Sequence, residues 1–264
     1  MPAGTEPRRR ILQTTALTLV GLAGCGSTTA PTDSRSDDGT EITLASVTVQ
    51  DYVSYPLAGV HPHVHRQAET QYVIVRVHTS TDDTQLSDRL TCRLDGESMP
   101  LADQQPVPWA NETTDIAFAV PKTTTYDSGR VLLDGDAVHT LATEAVDRLN
   151  TPPVFAVSNV RVAPDELQAG ERTEATVQFE VHNTGQGPGE FAASLRGNAL
   201  SGSNTVTGTV DTGDRRQLDA TTPVAGEGDA AQVRLDWGTD QWTGSIPVVG
   251  DRTATDQAMG DPSI

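Results

Sequence analysis

Thr173-Glu174-Ala175-Thr176-Val177-Gln178-Phe179-Glu180-Val181-His182-Asn183 alternates in its second half, with Val177, Phe179 and Val181 on one face and Gln178, Glu180 and His182 on the other. A period of two marks a half-buried β-strand, because successive side chains leave an extended backbone on opposite sides. Working outward, the sequence predicts further strands at 155–162, 189–195, 204–210, 216–224, 231–237 and 241–247. Turn formers such as Asp211-Thr212-Gly213-Asp214 separate them, and Asp236-Trp237-Gly238 opens a closing hairpin that reaches Trp242. Seven short strands broken by turns fit an antiparallel sandwich.

The upstream half carries the same signal. Tyr72-Val73-Ile74-Val75-Arg76-Val77-His78 sets Val73, Val75 and Val77 on one face, and strands are expected at 42–49, 90–94, 114–120 and 129–133 as well. Residues 143–150 (TEAVDRLN) predict a short helix with Thr143 as its N-cap, ended by Thr151-Pro152-Pro153. The expected architecture is all-β, with two antiparallel β-sandwich domains at 41–150 and 151–249 and a polar tail at 250–264. Cys92 shares its strand face with Leu90 and Leu94, so a buried, inert thiol is expected.

The 264 residues carry a formal net charge of −18. Without a basic patch, phosphate neutralisation fails, so nucleic acid is excluded as the expected partner. Lys122 is the only lysine and every other basic residue is arginine; this acidic, lysine-poor balance resembles that of halophilic archaeal proteins. Concentrated salt shortens the Debye length to about 3 Å, where such self-repulsion costs little.

At the N-terminus, Arg8-Arg9-Arg10 precedes the apolar run Ile11 to Gly24, which ends in small residues before Cys25. That order reads as a targeting segment, and the run falls short of the roughly 20 residues a bilayer-spanning helix needs. Arg8-Arg9-x-Ile11-Leu12 resembles the twin-arginine export signal, with Pro7 where that family usually has Ser or Thr. Leu22-Ala23-Gly24-Cys25 resembles a lipobox. The resemblance implies a signal peptide at 1–24, lipidation of Cys25, and anchoring at the extracytoplasmic face of the cell membrane. Residues 25–40, rich in Ser, Thr, Asp and Gly, then read as a flexible linker.

Two further resemblances concern the fold. Val181-x-Asn183-x-Gly185-x-Gly187-x-Gly189-x-Phe191, following Ala169-Gly170-Glu171, resembles the cell-adhesion-related domain of bacteria and archaea, which implies an immunoglobulin-like sandwich. Residues 41–150 resemble the immunoglobulin-like or telokin-like domains of microbial surface lipoproteins.

The sharpest local chemistry is His61-Pro62-His63-Val64-His65. In an extended segment His61, His63 and His65 share a face and offer imidazoles to Cu(II), Ni(II) or Zn(II). Steps of roughly 6–7 Å along one strand are too wide for a single ion without a bend or a ligand from elsewhere. The competing reading is an exposed loop leading into the Tyr72 strand. Asn111-Glu112-Thr113 is a glycosylation sequon. Trp237 and Trp242 are either a sugar-stacking platform or core residues, and Asp134-Gly135-Asp136, like Asp211 to Asp214, reads as a turn rather than a calcium loop.

The sequence contains no Gly-x-Ser-x-Gly elbow, His-Glu-x-x-His, Walker loop or dinucleotide glycine pattern. The expectation is a non-enzymatic cell-surface interaction or scaffold protein with no cofactor and a surface protein or glycan as partner. A surface metal binder using the histidine cluster is the first alternative. An enzyme or a transporter's solute-binding subunit is the second, disfavoured because alternating β and α units are missing.

Overall fold

β-branched and aromatic residues at period two dominate both halves of the chain, and in the computed structural model they form antiparallel sheets almost throughout. The structure describes residues 33–35, 41–57, 61–79, 86–106, 113–199 and 203–250. In chain order the strands are β1 (Asp33–Arg35), β2 (Glu41–Gln50), β3 (Val53–Leu57), β4 (His61–His65) and β5 (Thr70–Thr79). The short helix α1 (Leu86–Arg89) leads into β6 (Leu90–Leu94), β7 (Glu97–Ser98), β8 (Thr113–Pro121), β9 (Gly129–Leu133) and β10 (Asp136–Thr140). Helix α2 (Thr143–Asn150) follows, then β11 (Phe155–Ala163), β12 (Leu167–Gln168), β13 (Arg172–Asn183) and β14 (Gly189–Arg196). The chain continues through β15 (Ser203–Val210), β16 (Arg215–Ala225), β17 (Ala230–Asp236) and β18 (Gln241–Val249).

Two sheets, ordered β1-β2-β5-β8 and β10-β9-β6-β7, enclose one core. Val73, Val75 and Val77 from β5 meet Leu90, Cys92 and Leu94 from β6 there, and Val146 and Leu149 of α2 close one side. The expected inward valine face is observed. A second core lies between the sheets β11-β13-β16 and β12-β18-β17-β14-β15. Val177, Phe179 and Val181 are fully buried in it, with Phe191, Leu195, Val233 and Leu235 opposite. Among the described residues no helix is long and apolar enough to cross a membrane.

Three expectations are corrected. Asp33–Arg35, inside the segment read as a linker, pairs antiparallel with β2. His61–His65 is a strand rather than an exposed loop: it pairs with β3 in a hairpin, and His63 is buried. Pro56 and Pro62 hid this hairpin from the sequence, because proline removes a ladder donor and argues against a strand except at an edge. The N-cap of α2 is Ala142, with no side-chain cap, so Thr143 is already helical. Short strands β7, β10 and β12 also escaped prediction, since two to five residues carry almost no periodic signal.

Cys92 is buried as expected, and burial pushes its thiol up to about 12. The two Asp/Gly motifs are turns. Asp134 and Gly135 both take positive φ, as does Gly213, and Arg89 grips Asp134 through two hydrogen bonds of 3.0 and 2.7 Å.

Candidate functional site

Alternation along β5 buries its valines on one side and leaves Tyr72, Ile74 and Arg76 on the sheet's outer face. What covers that face determines where anything can bind. Over one end lies the β3–β4 hairpin, whose Val53 packs with Tyr72, Ile74, Ala102 and Ala117. Tyr55, directly opposite His63 in the ladder, has its ring centroid 5.7 Å from that imidazole and 6.4 Å from His65. His65 in turn is 6.2 Å from the Tyr72 ring.

Burial lowers the pKa of His65, partly opposed by the Asp103 carboxylate, which favours the neutral imidazole. The Tyr72 phenol is pushed up to about 12, first by burial and then by Asp103 and Asp51. His65 Nε2 and the Tyr72 hydroxyl are both buried without a hydrogen-bond partner among the described residues. No group of three or more His, Cys, Asp or Glu side chains among the described residues is placed to hold a metal ion. The backbone of His61 pairs with Leu57; its side chain lies outside what is described, as do Arg8, Arg9, Cys25 and Asn111.

The hairpin's other face turns towards the second core. The Val64 N–H donates to Ser194 Oγ at 3.0 Å, and Val64 packs with Tyr52 and Ala192. Arg66, immediately after β4, is the pivot. Its Nε donates to Asp51 Oδ2 at 2.8 Å, and its Nη1 donates to the carbonyls of Ala192 and Trp237 at 3.2 and 2.5 Å. Its guanidinium also lies 5.4 to 5.7 Å from the rings of Tyr52, Phe155 and Phe191. The Arg66 and Asp51 side chains are only 4% and 3% exposed. A buried charge needs this completeness, because an unpaired ion there costs several kcal/mol. Tyr52 bonds Glu190 from the same place, and its phenol pKa is raised by burial first and by Glu190 next.

A second tie is the chain itself. Thr151-Pro152-Pro153-Val154 lies across the glycines of the Asn183-x-Gly185-x-Gly187-x-Gly189 motif. A Cβ on Gly187 would stand 2.2 Å from the Thr151 carbonyl oxygen, and one on Gly185 would stand 2.4 Å from the Val154 nitrogen. Asn183, fully buried, accepts from Val154 N–H and Gly185 N–H and donates to the carbonyls of Gly187 and Val210. The glycine ladder is thus a seat for the connecting strap.

The rest of β5's outer face stays open. A cleft of about 240 Å³ is lined by Ser46, Thr48 and Gln50 of β2, Tyr52, Ser54, Ile74, Pro106, and the pair Arg76 and Asp115. Arg76 Nε and Nη2 each donate to an Asp115 oxygen at 2.6 Å. Trp237 and Trp242, weighed as a sugar platform, instead pack against the second core. Sequence reasoning found neither the Asp51–Arg66 pair nor this cleft. An arginine destined for burial carries no local mark, and the polar residues of β2 look like any solvated strand face.

No family model matches the chain, and no curated protein matches it. Among solved structures it is similar, weakly, to a beta-glucosidase from Listeria innocua in complex with glucose, at 12% identity and a TM-score of 0.27, over 38% of this chain and 16% of that one. It is also similar to pullulanase type I from Bacillus subtilis str. 168 complexed with maltose, at 12% identity and a TM-score of 0.19, over 74% of this chain and 24% of that one. The chain therefore spans under a quarter of either enzyme.

Proposed function

We propose that this chain is a non-enzymatic extracytoplasmic lipoprotein that presents a rigid binding body at the membrane surface. In this reading Arg8 and Arg9 direct export, Cys25 carries the lipid, and two immunoglobulin-like domains at 41–150 and 151–249 follow. Asn111 is a glycan acceptor on the surface. The carrying observation is the junction: a buried arginine joins Asp51 to two carbonyls of the second core, while the Pro-Pro strap lies seated on glycines. A catalyst needs a polar constellation aimed at substrate, whereas here the most completely satisfied polar network serves to fix one half against the other. The acidic, lysine-poor composition supports a salt-rich habitat.

Export and anchoring are tested by fractionation of cells expressing the full chain. Wild type is expected with the membrane and Cys25→Ser in the soluble extracytoplasmic fraction; recovery of both from the cytoplasm overturns the reading. Rigidity is tested by small-angle scattering of residues 33–250, which should give a single narrow distance distribution.

A second reading, metal binding through His61, His63 and His65, is favoured by the neutral, buried and unbonded Nε2 of His65. Titration with Zn(II) or Cu(II) decides it. One ion per chain, lost in the triple His→Ala variant, supports the reading, and no binding removes it.

A further inference from the structure

We propose that the cleft on the outer face of β2, β5 and β8 binds a neutral, hydroxyl-rich ligand of one-ring size, a sugar residue of a surface glycan. The inference rests on the interaction reading above and specifies its partner. Its first support is unspent hydrogen-bonding capacity. The side chains of Ser46, Thr48, Gln50 and Ser54 make no hydrogen bond to other described residues, although they converge on one concavity. Hydroxyls and an amide that both donate and accept suit a ligand whose own groups do both.

Charge narrows the class. Arg76 and Asp115 neutralise each other through a two-pronged pair at 2.6 Å, so the cleft offers an ion of either sign no net attraction. Within the pair, Nη1 of Arg76 keeps its hydrogens, and each Asp115 oxygen keeps lone-pair capacity. A vicinal diol can bridge such a pair, giving a hydrogen to the carboxylate and taking one from the guanidinium. An anionic ligand would also approach against a molecule of net charge −18.

Shape narrows it further. The volume of about 240 Å³ lies below the roughly 300–1,000 Å³ of pockets for drug-sized molecules, so the occupant is smaller than those. Pro106 and the small exposed edge of Ile74 are the aliphatic members of the lining, against which the C–H face of a pyranose can lie. Tyr52, which belongs to the junction, and Ser54 of the hairpin also line the cleft, so the contact that holds the two halves together contributes to this site.

The test is an NMR titration of the full chain with neutral monosaccharides (glucose, galactose, mannose and N-acetylglucosamine), with inorganic phosphate as the control. Saturable shifts of the Ser46, Thr48, Arg76 and Asp115 amides by at least one sugar, insensitive to added salt, are expected. In Asp115→Asn, affinity should fall about tenfold, the loss of one charge-assisted hydrogen bond. Thr48→Trp should abolish binding by filling the space; an unchanged amide spectrum elsewhere shows that either variant is folded. No saturable shift with any sugar, shifts mapping elsewhere, or tighter binding of phosphate overturns the proposal. The membrane fractionation and scattering tests are unaffected by those outcomes, so failure here leaves the anchored-body reading standing.

Discussion

Two arginine–aspartate pairs hold opposite positions in this molecule. Arg66–Asp51 is 4% and 3% exposed, and the guanidinium's Nη1 donates to two backbone carbonyls while Nη2 reaches the second Asp51 oxygen at 3.5 Å. Arg76–Asp115 has similar or better geometry, with both contacts at 2.6 Å, but its arginine is 53% exposed. Short distances alone therefore say little about energy. In the first pair each ion has lost its water and depends on its partner, whereas in the second the arginine is open to solvent and water can replace it beside Asp115 at little cost.

The largest expected effect comes from breaking the buried pair on one side. Arg66→Met keeps much of the side-chain volume but leaves Asp51 charged, buried and alone, and should cost about 3–5 kcal/mol. Denaturant unfolding measures this. The double variant Arg66→Met with Asp51→Leu should regain most of the loss, since an apolar pair has no ion to strand. If the single variant costs under about 1 kcal/mol, the buried pair is no different in kind from the exposed one.

Next in size is the strap. Gly187→Ala brings a methyl within 2.2 Å of the Thr151 carbonyl, and the obstacle is backbone rather than a flexible side chain. A loss of roughly 1–3 kcal/mol is expected. If steric seating is the cause, the strap should lift locally, and amide exchange at Thr184 and Gln186 should accelerate, because both amides bond strap carbonyls. Unchanged exchange with a global loss of stability would mean that the strap is incidental to the junction.

The sequence made the two cores far more legible than the junction between them. In the second half β13 and β17 alternate cleanly between a wet and a dry face, whereas β14 is buried along most of both faces, with Ala192 and Ser194 turned to the hairpin. β3 and β4 are enclosed as well: one face of the hairpin packs on Tyr72 and the other on Ala192. A strand buried on both sides loses its polar alternation, and Pro56 and Pro62 added a misleading signal. The glycine ladder carries the resemblance to the cell-adhesion-related domain, yet its physical purpose, making room for the strap, depends on a segment some thirty residues upstream. His61-Pro62-His63-Val64-His65 drew attention for its imidazoles, while Arg66 beside it, the residue holding the halves together, had no pattern around it.

Acidification should act on the hairpin with a smaller effect. His65 is neutral in the fold with its pKa lowered from 6.5, so the unfolded chain binds the proton more readily. Its stabilising contribution is fully present above about pH 6.5 and falls as pH drops below that value, levelling off beneath the folded pKa. The side chains facing it are Tyr55 and Tyr72, with the Asp103 charge opposing the shift. His139, also lowered by burial, contributes in the same direction. His65→Gln should flatten the unfolding profile between pH 7 and pH 5, and an unchanged slope would assign the dependence elsewhere.

The smallest effect expected is at the exposed pair, and it is the most direct check on the contrast. Arg76→Gln should cost about 0.2–1 kcal/mol in dilute buffer, the ordinary value of a surface ion pair. That cost should shrink in molar salt, where the Debye length falls to about 3 Å. The Arg66 variant should show no such relief, because buried charges are little screened. Measuring both variants at low and high salt thus separates position from geometry. If both lose salt sensitivity together, the Arg76–Asp115 pair is acting as a desolvated pair despite its exposure; if both gain it, water reaches Asp51 and the junction is looser than its hydrogen bonds imply.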